Sequence, residues 1–265
     1  MIYFFLCKKL QILYFLRMIT LMLFGRSRNK KNQAPASAST PTFVLEESKE
    51  SLKRSIVNLS KKKGVNLDGH TARVAVVMDR SGSMTDSFYG GDVQEILSRL
   101  LPVALKFDDN GELEVFLFNE NCKQVKVPMT EGNYSTYVEE EILHRGLGPS
   151  GGTNYAPLVN ETLKHYNDGS NVPAFVIVIT DGENFDRHDT DQSIRKSSEY
   201  PVFYQFIGIG SSSFDYLEKL DDLDGRKVDN TAFLKFQDIK RLSDDELYSA
   251  LLEQYPQWLK DTSLI

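Results

Sequence analysis

The apolar positions of this 265-residue chain follow two patterns. Short, mainly apolar runs at residues 74–78, 174–179 and 202–209 read as strands buried on both faces, as in a parallel sheet. Between them apolar residues return at helical spacing. Val93, Ile96, Leu97, Leu100, Leu101, Ala104 and Leu105 predict a helix over residues 92–107, with Asp92 as its cap. Residues 113–118 and 124–127 read as a hairpin around residues 119–121, and further helices are expected at 134–143 and 155–166. After a short strand at 232–236, Ser243 and Glu246 form a capping box, and the helix they open buries Leu247, Leu251, Tyr255 and Trp258. Strands alternating with helices predict an α/β fold: a doubly wound, mostly parallel sheet with helices on both faces and right-handed crossovers.

The pattern changes at the head of the chain. Residues 1–24 are apolar but interrupted by Lys8, Lys9, Gln11 and Arg17, and basic residues follow the apolar run rather than precede it. A spanning helix needs about 20 apolar residues, and a signal peptide carries its charges first. Three readings stay open: translation starting at Met18 or Met22, an amphipathic helix on a membrane surface through residues 1–31, or a true span. Residues 26–42 read as a Ser/Ala/Pro/Lys linker. The expected organisation is therefore a head and linker over 1–42 and one α/β domain over 43–265, with an amphipathic lead-in around Leu45, Leu52, Ile56 and Leu59.

Composition narrows the classes. With 41% apolar and 26% charged residues the chain is an ordinary globular sequence, and its net charge of −6 argues against a general nucleic-acid binder. Two cysteines, Cys7 and Cys122, do not make a disulfide framework. Cys122 reads as a reduced core residue, and a reducing, cytoplasmic compartment fits, with membrane association left open by the head.

Chemistry concentrates where the first buried strand stops. Asp79, Ser81 and Ser83 follow it at alternate positions, with Gly82 allowing a tight turn. In open α/β sheets ligands bind beyond the carboxyl ends of strands. One carboxylate and two hydroxyls suit a hard cation such as Mg²⁺ better than zinc or copper.

That D-x-S-x-S pattern resembles the metal-ion-dependent adhesion site of von Willebrand factor A domains. The family also carries a threonine on a second loop and an aspartate after a later strand. Thr153, in the glycine-rich segment 146–154, and Asp181, after the 174–179 strand, match those positions. Residues 99–118, 204–210, 228–233, 242–248 and 256–258 resemble the tellurium-resistance, TerF-like branch. The resemblance implies Mg²⁺ or Mn²⁺ bound through the hydroxyls of Ser81, Ser83 and Thr153, with Asp79 and Asp181 holding coordinating waters. Neutral direct ligands would leave the ion electron-poor and able to take an acidic side chain from a protein partner. It further implies a non-enzymatic binding module in a bacterial tellurite or chemical-stress resistance system, with TerD-type stress proteins among candidate partners.

Three readings compete with this one, and the last two meet obstacles in the sequence. A helix cap is the bland role for Thr153. A metal-dependent hydrolase or phosphotransferase of the haloacid-dehalogenase type wants an aspartate at position 81, and His70, His144, His165 and His188 show no triad or ligand spacing. An exported adhesion domain would need an export signal and usually disulfides.

Overall fold

A computed structural model describes residues 43–182 and 184–265. The readings of residues 1–42 fall outside the described residues. In chain order the elements are α1 (Leu45–Lys63), β1 (Arg73–Asp79), α2 (Thr85–Tyr89), α3 (Asp92–Phe107), β2 (Glu114–Phe118) and β3 (Cys122–Gln124). There follow α4 (Ala156–Tyr166), β4 (Ala174–Thr180), α5 (Arg187–Ser197), β5 (Val202–Ile209), α6 (Asp215–Asp221), β6 (Thr231–Phe236), α7 (Asp244–Leu251) and α8 (Tyr255–Asp261). Six strands form one sheet in the order β3-β2-β1-β4-β5-β6, parallel throughout except for the antiparallel β2–β3 hairpin. This is the doubly wound α/β arrangement that the alternation predicts.

β1 is central, and every residue from Val74 to Asp79 is fully buried. Its side chains alternate between two cores. Val74, Val76 and Met78 join a layer built on α1, α3, α7 and α8, while Ala75 and Val77 join a second layer with α4, α5 and α6. The chain leaves β1 for β2 on one side and reaches β4 on the other. The order therefore reverses at β1, and the crevice beyond its carboxyl end is the switch point where such sheets hold ligands.

Several boundaries differ from the sequence reading. Asp92 does not cap α3: Gly91, in the left-handed region at φ 88°, takes the cap position and Asp92 pairs with Lys240 at 2.7 Å. The second hairpin strand is Cys122–Gln124 rather than 124–127. Of residues 134–143 only Val138–Leu143 is helical, as a π-helical turn. The last helix is two helices, because Pro256 has no N–H to continue the ladder and instead opens α8; all four expected core residues remain buried. Helix α5 has almost no apolar periodicity, since its buried face is Thr190, Ser193, Ile194 and Ser197. Cys122 is a free, partly buried thiol in a strand, with burial pushing its pKa up to about 12. Among the described residues no helix is long and apolar enough to cross a membrane.

A buried guanidinium ties the first layer together. Arg99 Nε meets Asp244 at 2.7 Å, and its two terminal nitrogens donate to the Ile239 and Leu242 carbonyls at 2.8 and 2.7 Å. Ser48 of α1 donates to the same Asp244, so one carboxylate joins three helices. Arg99→Met would leave the Asp244 carboxylate without its cation and the Ile239 and Leu242 carbonyls without the guanidinium donors; the expected loss is about 3–5 kcal/mol in denaturant unfolding. A change below 1 kcal/mol would contradict the role.

His70 packs edge-on against Phe107 and Tyr255, with Nε2 3.0 Å from the Tyr255 hydroxyl. Burial lowers its pKa from 6.5 to about 4. The unfolded chain therefore takes up this proton first, so its share of stability is complete above pH 6.5 and is lost as pH falls towards 4. His70→Gln should flatten the decline in unfolding free energy across that window. Parallel wild-type and variant profiles would show that the ring does not contribute.

Candidate metal centre

Asp79 ends β1 at full burial, which is unusual for a carboxylate. Its Oδ1 accepts the Ser81 N–H at 2.7 Å, an arrangement that turns the chain sharply, and its Oδ2 accepts the Thr180 hydroxyl at 2.7 Å. Residues Gly82–Met84 then form a short 3₁₀ turn. Ser81 and Ser83 hydroxyls lie 3.1 Å apart, and Ser83 donates to Asp181 Oδ1 at 2.8 Å. Four of the five expected residues thus make one connected set of oxygens: Asp79, Ser81, Ser83 and Asp181. Asp181 follows β4 directly, next to β1 in the sheet.

Thr153 arrives on a separate loop, held against the first by backbone. Ser150 N–H donates to the Arg80 carbonyl at 2.7 Å, and Gly82 N–H to the Gly151 carbonyl at 3.0 Å. Gly151 has φ 80°, a left-handed backbone that favours glycine, and the Glu120 carboxylate lies close against it. Glu120 itself accepts the Gly152 N–H at 2.5 Å. Thr153 is buried, and its carbonyl accepts the Phe185 N–H at 3.1 Å. No hydrogen bond links its hydroxyl to the other four residues, nor to any other described residue.

The capping role for Thr153 falls away. Asp186, from the loop after β4, caps α4 instead, accepting the Tyr155 and Ala156 N–H groups at 2.9 and 2.8 Å. Asn184 and Thr190 hold that carboxylate in turn, at 2.8 and 3.1 Å from Oδ1. Tyr155 donates to the Gly182 carbonyl at 2.5 Å, which fixes the chain beside Asp181. Sequence reading missed Thr180, Asp186 and Glu120. Thr180 had a signal, as a hydroxyl closing an otherwise apolar strand; Asp186 and Glu120 had none beyond lying in loops.

Burial pushes Asp79 up to about 6, and the charge of Asp181 adds to the effect, against the hydrogen bonds from Thr180 and Ser81. Among the described residues neither Asp79 nor Asp181 has a Lys, Arg or His partner, and no three His, Cys, Asp or Glu side chains cluster to hold a metal. The donors here are two carboxylates and hydroxyls, all oxygen. They fit a hard divalent cation, whose charge would offset the burial of Asp79.

Residues 71–264 match the family described as vWA-TerF-like, the von Willebrand A domain found at the TerF C terminus. YcbR of Bacillus subtilis (strain 168) is 43% identical over 194 residues, covering 72% of this chain and 79% of that protein. The E3 ubiquitin-protein ligase RGLG5 of Arabidopsis thaliana is 26% identical over 144 residues, 48% of this chain and 31% of the ligase. Thus the chain spans less than a third of that ligase. Among solved structures, manganese-loaded TRAP protein of Plasmodium vivax superposes with a TM-score of 0.52 at 18% identity, over 71% of this chain and 74% of that one. At that identity the likeness is one of fold. The sheet order, the oxygen set at its switch point and the match over most of its length place this chain in the vWA-TerF-like family of von Willebrand factor A domains.

Proposed function

We propose that the chain is a metal-ion-dependent protein-binding module that takes Mg²⁺ or Mn²⁺ at Asp79, Ser81, Ser83, Thr153 and Asp181. The observation that carries this reading is Asp79: a fully buried carboxylate with hydroxyls beside it and no cationic side chain among the described residues. The bound ion supplies positive charge and an open coordination position for an acidic side chain of a protein partner. Ser81, Ser83 and Thr153 would offer it neutral hydroxyls. Asp79 and Asp181 would hold coordinating waters, and Thr180 and the Ser81 N–H orient Asp79 for that task. The manganese-loaded TRAP protein supports the choice of a divalent ion. Kinship with TerF-type domains supports a place in a bacterial stress response of the tellurite-resistance kind, with TerD-type proteins as candidate partners.

Thermal unfolding with Mg²⁺ or Mn²⁺ against chelator tests the site. At metal tenfold above its Kd, linkage gives about 1.4 kcal/mol, or a rise of about 3–6 °C in Tm for a domain this size. Asp79→Ala should abolish that response, and Thr153→Ala should weaken it while changing metal-free stability little. Equal responses from wild type and Asp79→Ala would overturn the assignment. Metal-dependent turnover of a phosphoester, lost in Asp79→Ala, would replace the binding module by an enzyme.

A further inference from the structure

Next to the carboxylate site, towards the β2–β3 hairpin, lies a cleft of about 690 Å³. That volume is within the range of ligand pockets, about 300–1,000 Å³. Arg80, Lys123, Lys126 and Arg145 line it, against one acidic residue, Glu141. This balance runs against the whole chain, which has 37 acidic and 31 basic residues. The four cations are not equivalent. Arg145 already sits 3.4 Å from Glu141. Arg80 donates to the Leu147 carbonyl at 3.1 Å and to the Ser150 hydroxyl at 2.8 Å, so it fixes the wall of the cleft. Lys123 and Lys126 are exposed, and neither has an ion pair or hydrogen bond from its ammonium among the described residues.

Leu117, Val125, Val127 and Leu147 give the same cleft apolar walls. Asn121 lies on its rim with a carboxamide that makes no hydrogen bond to a described residue, free to meet a peptide backbone. Lysines on an edge strand also discourage pairing with another sheet. That role accounts for Lys123 on β3 but not for Lys126, which lies beyond the strand, and it requires no apolar cavity beside them. A bare phosphate would leave these apolar walls without a contact.

We infer that the cleft binds an acidic peptide segment, with carboxylates at Lys123 and Lys126 and an apolar side chain against the partly exposed Val127 and Leu147. The inference stands independently of the metal reading, because none of the five proposed ligand residues lines the cleft. Fluorescence anisotropy of a rhodamine-labelled Glu-Leu-Glu-Leu-Glu peptide with the full chain, in chelator, tests it. The expected result is saturable binding already complete in chelator, weakened about tenfold by the double substitution Lys123→Ala/Lys126→Ala and weakened similarly in the Gln-Leu-Gln-Leu-Gln peptide. Both lysines are exposed, so thermal unfolding of the double variant should match wild type and exclude misfolding. Equal binding of the two peptides, or of wild type and variant, would overturn the inference. Binding that appears only with Mg²⁺ would move the peptide to the carboxylate site and overturn it too. Displacement by hexanoate at equal concentration would make the ligand a small anion rather than a peptide.

Discussion

One buried charge governs this molecule. Asp79 sits at the end of the central strand with no exposure to water and two hydrogen bonds, from Thr180 and the Ser81 N–H. Burying a carboxylate without a counter-charge is costly, and the raised pKa of Asp79 records that cost. A hydrophobic residue there would extend the β1 core and avoid the penalty. The fold instead keeps the carboxylate and arranges three loops around it.

Those loops are held by groups that have no direct part in the oxygen set. Asp186 caps α4 and so sets where the Thr153 loop ends. Glu120 reaches across from the hairpin to the Gly152 N–H, and Arg80 spans to Leu147 and Ser150 on the other side. Two apolar layers anchor the strands beneath them. The lead-in helix α1, which precedes the family match at residue 71, belongs to the first layer: Leu52, Ile56 and Leu59 are buried in it beside Leu247 and Leu251. Its polar ties to α7, through Ser48 to Asp244 and Arg54 to Asp245, make it an integral part of the domain.

The elements legible in sequence were those whose burial is apolar. β1, β4 and β5 are nearly unbroken runs, α3 has a full apolar stripe, and the Ser243–Glu246 capping box forms as its spacing implies. Helix α5 was hidden because serine and threonine make most of its buried face. The split between α7 and α8 hid behind a periodicity that ignores Pro256. In the site, Asp79, Ser81 and Ser83 were visible because they share one loop, and Thr153 and Asp181 came only through the family pattern. The supporting carboxylates of Asp186 and Glu120 act through space on loops remote in sequence, and no local spacing encodes that.

Soaking crystals of the full chain in Mn²⁺ and collecting anomalous diffraction would test the central claim most directly. The account predicts one strong peak within coordination distance of the Ser81, Ser83 and Thr153 hydroxyls, with Asp79 and Asp181 in contact through ordered waters. A peak elsewhere on the surface, or none at this position, would contradict it.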